Sequence, residues 1–287
     1  MRRLVKLFAG FGTAILFFVT NAAFAQESDS ALANFAKPWE MGFQPAASPI
    51  ADQAHAFWHL LFWIIVAISV LVLLLLATVI IKFRAKANPV PSKVTHNTLV
   101  EVLWTIVPVI ILLIIFVPSM RLLFAEDKVA DADITIKATG NQWFWEYEYP
   151  DEGFSFVSNI VPDDQLKPGQ PRLLTVDEHV VVPVGAVVRV LTTSNDVIHS
   201  WAVPAFYVKM DAVPGRLNET WFKAEHEGAF YGQCSELCGI RHGFMPIEVE
   251  VVSRSEYNEW LTKMKQEYGS LEPSGDVRVA QAEIEAH

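Results

Sequence analysis

Hydrophobic positions fall into two regimes along this chain. Up to about residue 125 they form long blocks with few charges, and beyond it they come in short runs interleaved with polar residues. The first block, residues 1–25, opens on Arg2, Arg3 and Lys6, carries an apolar run through residues 15–19 and ends on Ala23-Phe24-Ala25. That order of basic start, apolar middle and small-x-small end predicts a secretory signal peptide cleaved before Gln26. Residues 26–54 are polar, with Pro38, Pro45 and Pro49, and read as an extended segment outside the membrane.

Residues 56–81 contain no Asp, Glu, Lys or Arg. As a helix they would extend ~39 Å, enough to cross a ~30 Å hydrocarbon core with tilt. Trp58 and Trp63 stand near the start, where interfacial aromatics belong. The following loop, about residues 82–97, carries Lys82, Arg84, Lys86 and Lys93 and no acid, which makes it cytoplasmic by the positive-inside rule. A second span is predicted over residues 99–124, most apolar from 102 to 117 and kinked at Pro108. The expectation is a transmembrane helical hairpin over residues 55–125 with both ends outside. A periplasmic domain then covers residues 126–268.

Within that domain the pattern predicts strands at residues 134–138, 142–149, 172–176, 179–182, 187–192, 202–203, 220–223, 228–233 and 247–252. Turn residues punctuate them at Pro150-Asp-Glu-Gly153, Lys167-Pro-Gly169, Pro183-Val-Gly185 and Pro214-Gly215. Many short strands without intervening helices imply an all-β sandwich or small barrel. A helix over residues 255–268, capped by Ser253 or Ser255, closes the domain. Residues 269–287 form a polar, acidic tail. In the stretch 142–149, strict alternation would put Trp143, Trp145, Tyr147 and Tyr149 on one face and Phe144, Glu146 and Glu148 on the other.

Composition sharpens this picture. The chain has 287 residues and a formal charge of −10, but from residue 125 onward acids outnumber Lys plus Arg by roughly two to one. An acidic globular half argues against nucleic acid and for a basic protein partner. The two cysteines, Cys234 and Cys238, leave no Cys-x-x-Cys-His haem attachment site.

Both cysteines lie in Cys234-Ser-Glu-Leu-Cys238-Gly-Ile-Arg-His242-Gly-Phe-Met245. Thiolate, imidazole and thioether together select copper over magnesium or calcium. One blue-copper ion needs a single Cys, two His and a weak Met. The second Cys suggests two thiolates bridging two coppers, each completed by one His, with Met245 and a backbone carbonyl in the weak positions. His199, in Asp196-Val-Ile-His-Ser-Trp201, stands at a strand end where a sandwich could bring it to the loop as the second imidazole; a satisfied core histidine is the alternative. A periplasmic disulfide is the alternative for the cysteine pair. The spacing of His242 and Met245 stands against it. Glu101, at the cytoplasmic start of the second span, is either a snorkelling interfacial carboxylate or a functional group. His55, His59 and His96 receive no assignment.

Three stretches carry a family resemblance: Asp196-Val-Ile-His-Ser-Trp, Asp211-Ala-Val-Pro-Gly-Arg216, and Tyr231 to His242 followed by Phe244-Met-Pro246. With these the chain resembles subunit II of the haem–copper cytochrome c oxidases of the bacterial aa3 type, over nearly all of residues 50–265. The resemblance implies a cupredoxin-like sandwich holding the binuclear copper A centre, with His199, Cys234, the Glu236 carbonyl, Cys238, His242 and Met245 as ligands. It further implies a magnesium or manganese ion held by the Glu236 side chain at the boundary with subunit I. Trp143 would be the port for electrons from a soluble or membrane-anchored cytochrome c, and Glu101 the mouth of a proton pathway into subunit I.

Glu148, Asp196 and Asp211 are candidate docking acids for the cytochrome's lysine rim. Val157 stands where some members carry an acid, and Glu146 or Asp163 would compensate. By the same resemblance, electrons pass on to haem a and the oxygen-reducing haem–copper centre of subunit I, coupled to proton translocation, in an assembly that includes subunit III. The expected location is the bacterial inner membrane. A copper-lacking quinol oxidase subunit II and a disulfide-stabilised, membrane-tethered binding module are the alternative functions.

Overall fold

A computed structural model describes residues 35–36, 39–127 and 131–269 of the chain. The signal peptide expected over residues 1–25 lies outside them, as does all of the acidic tail beyond residue 269. Two long helices come first, α1 (Pro49–Lys82) and α2 (Thr98–Asp127). Ser48 caps α1, accepting the Ala51 N–H on its Oγ at 3.1 Å, and Pro49 occupies the first turn, where a missing N–H costs nothing. Both helices run past the spans expected from hydropathy. α1 starts seven residues before residue 56, because Asp52 and Gln53 are compatible with a first helical turn lying above the apolar stretch. Within α2, Pro118 joins Pro108 as a second proline inside the helix. Leu73, Leu74, Leu75 and Leu76 are each more than half exposed. A surface of that kind suits hydrocarbon.

The β-domain follows. Its strands are β1 (Ile134–Asn141), β2 (Phe144–Tyr149), β3 (Phe154–Ser158), β4 (Val180–Pro183) and β5 (Val187–Ser194). They continue with β6 (His199–Val203), β7 (Val208–Ala212), β8 (Asn218–Lys223), β9 (Gly228–Gln233) and β10 (Pro246–Val252). One sheet has the order β3-β2-β1-β5-β8 and a second the order β4-β10-β9, while β6 and β7 form a separate hairpin. The β1–β5 and β4–β10 pairs are parallel and the others antiparallel. Trp145, Tyr147 and Tyr149 alternate inward along β2 and meet Phe154, Phe206, Phe222 and Phe230 in a fully buried aromatic core. The last helix, α3 (Arg254–Tyr268), begins at a capping box in which Ser253 and Glu256 satisfy each other's backbone N–H groups. Its Trp260 packs on Tyr149 and Phe154.

The helices and the sandwich are joined at both outer ends of the hairpin. Ser48 Oγ donates to the Phe206 carbonyl at 2.8 Å, and Ala47 N donates to the Ala205 carbonyl at 2.8 Å. At the other end, Trp221 Nε1 of β8 donates to the Ala125 carbonyl at 3.2 Å.

The structure corrects three readings. Residues 172–176 form no strand: the Pro171 carbonyl accepts from Leu174 N and Thr175 N, closing a turn, and only Val176 makes a bridge, to Ile160. The strand expected to begin at residue 142 begins at Phe144, so Trp143 leaves the aromatic face and belongs to a turn. Two strands, β3 and β7, were not anticipated. In β7 the outward Lys209 and Asp211 hide a short inward pattern that is satisfied by pairing with β6.

An ion pair on the second sheet supplies a pH test. His179 Nε2 lies 2.7 Å from Glu250 Oε2. Burial alone would lower the His179 pKa, but the hydrogen bond and charge of Glu250 raise it above its ordinary 6.5. The same hydrogen bond holds Glu250 below its ordinary 4.5. The His179 contribution is full below pH 6.5 and fades as pH rises through the raised value; that of Glu250 is full above pH 4.5 and fades as pH falls through the lowered one. Thermal unfolding of His179→Gln in detergent should therefore show a loss that is greatest between pH 4.5 and 6.5. The partial exposure of the pair limits that loss to about 1 kcal/mol. A loss independent of pH would rule the pair out as its cause.

Candidate metal centre

Three segments build the centre at one end of the sandwich. His199 opens β6 and is fully buried against β1. Gly140 of β1 makes room for it: a Cβ at Gly140 would fall 2.7 Å from His199 Cδ2 and 2.8 Å from Cγ. His199 Nε2 and Asp196 Oδ1 are 2.8 Å apart, so the carboxylate accepts a hydrogen bond from Nε2–H and Nδ1 is turned toward the ligand loop. Cys234 follows β9 directly, and Met245 immediately precedes β10. Their backbones close the loop where Cys234 N donates to the Met245 carbonyl at 3.3 Å. Ser235 N donates to the Ser200 carbonyl at 3.0 Å, tying the loop to β6. Cys238 and His242 lie within the loop, with His242 beginning a single 3-10 turn.

The donor atoms converge. His199 Nδ1 is 3.8 Å from Cys234 Sγ, which lies 3.8 Å from Cys238 Sγ. Cys238 Sγ is in turn 3.5 Å from His242 Nδ1 and 3.6 Å from Met245 Sδ. The Glu236 carbonyl oxygen is 3.3 Å from Cys234 Sγ. Ligands bound at ~2.0–2.3 Å in a roughly tetrahedral shell lie ~3.3–3.8 Å from one another, so these spacings fit a metal. The donors are soft or borderline, as copper requires. They are also disposed on both sides of the thiol pair, His199 beside Cys234 and His242 with Met245 beside Cys238. Both cysteines are free thiols, so the disulfide alternative is not the state seen here.

Electrostatics orders the thiols. Burial raises both. At Cys234 that effect is outweighed by hydrogen bonds from His199 and from the backbone at Glu236 and Ser200, which hold the thiol below its ordinary value. At Cys238 the adjacent Cys234 charge adds to burial and holds the thiol above it. Cys234 is thus the first to become the thiolate that metals and electrophiles seek. Burial lowers the His199 pKa, yet its hydrogen bonds to Cys234 and Asp196 raise it overall.

The other expected residues fall in distinct places. Trp143 lies in the turn after β1 and rests on the ligand loop, its Nε1 donating to the Cys238 carbonyl at 3.2 Å. The Glu236 side chain is exposed and shares a recess with Asp211, Arg216, Asn218 and Lys209. Asp196 is about two-thirds covered and committed to His199 and to Gln142 N. Glu148 pairs with Lys137 at 3.3 Å and is mostly covered. Val157 is exposed on β3, directly opposite Glu146 of β2. Asp163 pairs with Arg172 at 2.6 Å, so its charge is compensated. Glu101 lies at the start of α2, remote from the centre, and Glu101 Oε1 accepts the Asn97 N–H at 3.2 Å. Sequence reasoning assigned Asp196 to docking and passed over its bond to His199. The spacing of three residues between them was the available signal.

Comparison with known proteins bears on the family of the chain. Residues 36–122 match the family described as cytochrome c oxidase subunit II, transmembrane domain, and residues 134–252 match its periplasmic-domain counterpart. The chain is 54% identical over 225 residues to the probable cytochrome c oxidase subunit 2 of Rickettsia bellii, covering 78% of this chain and 84% of that protein. It is 47% identical over 234 residues to cytochrome c oxidase subunit 2 of Arabidopsis thaliana, covering 79% and 90%. The crystal structure of the periplasmic domain of subunit II of cytochrome oxidase of Bradyrhizobium japonicum is 56% identical, with a TM-score of 0.46, and covers 49% of this chain and 99% of that one.

The contact between Gly140 and His199 is testable. Gly140→Ala should push the imidazole away from Cys234, cost ~1–3 kcal/mol of stability by overpacking, and lower the copper bound per chain at saturating metal. Wild-type copper content together with an unchanged unfolding temperature would show that β1 does not set the imidazole.

Proposed function

The chain belongs to the cytochrome c oxidase subunit II family and is a subunit of that oxidase, and we propose that it is the subunit through which electrons enter. The observation that carries this reading is the convergence of His199, Cys234, Cys238, His242 and Met245 within ligand–ligand distances. These residues, with the Glu236 carbonyl, would hold two copper ions as the copper A centre. Bound there, the copper pair supplies a one-electron relay.

The rest of the reading concerns this chain's own residues. Trp143 receives the electron at the surface, since its indole rests on the Cys238 carbonyl. Asp196 and the packing against Gly140 keep the His199 imidazole from turning, which limits rearrangement on electron transfer. Met245 is buried beside Cys238 as the weak thioether ligand that tunes the potential. The donor is a separate cytochrome c, because the chain carries no haem-attachment motif. Its lysine rim meets an acidic surface to which Asp211 and the Glu146 next to Val157 contribute, Glu148 being paired with Lys137 and Asp196 with His199.

Oxygen is reduced in subunit I, which receives the electron on haem a. Glu236 holds a magnesium or manganese ion at the boundary with that subunit, as a hard carboxylate suits. Glu101 stands at the entrance of a proton pathway into it, and subunit III completes the core assembly. The two helices anchor the chain in the bacterial inner membrane, with the sandwich in the periplasm after removal of the signal peptide.

Copper quantification and electron spin resonance on the purified oxidase test this. Two coppers bound to this chain and one unpaired electron shared between them are expected. A chain without copper, with Cys234 and Cys238 joined as a disulfide by mass mapping, would sink the reading. Met245→Leu should keep its copper and shift the potential; wholesale copper loss would make the thioether a principal ligand instead. Trp143→Phe should slow electron entry from reduced cytochrome c by roughly tenfold or more, about 1.4 kcal/mol in barrier, with copper content unchanged. An unaltered rate would move the entry port elsewhere.

A further inference from the structure

Gln142 precedes Trp143 and is exposed, yet both of its polar ends are held by the metal centre. Its main-chain N–H donates to Asp196 Oδ2 at 2.7 Å, on the carboxylate whose other oxygen meets His199. Its side-chain amide, through Nε2, donates to the Cys238 carbonyl at 2.8 Å. That carbonyl also receives Trp143 Nε1 at 3.2 Å, so both of its lone pairs are used by neighbouring residues of one turn. Two further bonds close the same seam, Asn195 N to the Gly140 carbonyl at 3.2 Å and Asn195 Nδ2 to Asn141 Oδ1 at 3.0 Å.

The ligand loop is shaped to receive this turn. Gly239 has φ +121°, a conformation L side chains rarely adopt, and a Cβ there would lie 3.0 Å from Trp143 Cζ2 and 3.1 Å from Gln142 Nε2. The bare glycine lets the indole and the amide lie flat on the backbone next to Cys238. Among the described residues, the hydrogen bonds of Gln142 go to the Asp196 carboxylate and the Cys238 carbonyl and not to a donor sulfur or nitrogen of the centre, so any effect it has on electron entry passes through Trp143 and the loop.

We propose that Gln142 is a positioning residue, clamped between Asp196 and the Cys238 carbonyl, that holds the Trp143 indole in register with the ligand loop. This rests on the reading of Trp143 as the entry port. Because Gln142 is exposed, its hydrogen bonds compete with water and add little to stability. What they fix is the distance from the indole to Cys238, on which electron transfer depends steeply. Removing the amide should therefore change a rate more than a fold.

The test uses the intact oxidase carrying Gln142→Met, which keeps the length and removes the donor, and Gln142→Glu, which sets an anionic acceptor against the carbonyl. Gln142→Met should slow electron entry from reduced cytochrome c by roughly fivefold or more, with copper content and KM unchanged, and Gln142→Glu should slow it further. In a Trp143→Phe background Gln142→Met should add less than about twofold, because residues acting through one contact are not additive. A wild-type rate in Gln142→Met, a loss of rate matched by loss of copper, or independent multiplication of the two effects would overturn the proposal. Amide hydrogen exchange judges the clamp without electron entry, and so separates it from the role of Trp143. The peptide containing Cys238 and Gly239 should exchange faster in Gln142→Met, and unchanged exchange would overturn the clamp even if Trp143→Phe itself proved fully active.

Discussion

The close approach of the His199 imidazole to the bare backbone at Gly140 is the constraint on which the centre depends. A side chain on β1 at that point would occupy the volume of the ring, and without the ring Cys234 would face no imidazole. Because β1 is the central strand of its sheet, paired with β2 and β5, the surface behind His199 does not give. Asp196 completes the restraint from the other side. An imidazole fixed by packing and by one charge-assisted bond is held in a single orientation. The sandwich is in this sense the rigid half of the site.

The ligand loop is the other half, and it is rigid for a different reason. It is the hairpin connection between two paired strands, β9 and β10, so its ends are held in antiparallel register from Gln233–Pro246 onward. Cys234 and Met245 lie just beyond that last pair and inherit its precision. Cys238 and His242 lie farther out, where the Trp143 and Gln142 side chains bond to the Cys238 carbonyl. The two thiols differ correspondingly. Cys234 is ringed by groups that favour its thiolate, whereas the Cys238 thiolate is disfavoured by burial and by its neighbour's charge.

The link between membrane and sandwich shows the same economy of contacts. Ser48 caps α1 with one oxygen that also donates to the Phe206 carbonyl, so the helix begins where the domain begins. Trp221 bonds to the Ala125 carbonyl near the far end of α2. Two anchor points fix an orientation that one would leave free to swivel.

Much of this was legible in the residues. The two long apolar stretches read as spanning helices, because a backbone in hydrocarbon must satisfy its own hydrogen bonds. The donor types of Cys234, Cys238, His242 and Met245 set the class of metal, since softness belongs to the atoms and not to the fold. The alternation of Trp145, Tyr147 and Tyr149 marked a core face for the same local reason. Pairings between distant segments were not legible. His199 was joined to the cysteine loop by donor type and by resemblance, but only the tertiary structure bonded Asp196 to that imidazole and lifted Trp143 off its strand to lie on Cys238. Each of these depends on how strands from far-apart parts of the chain pack, and a local pattern carries no record of what will be packed against it.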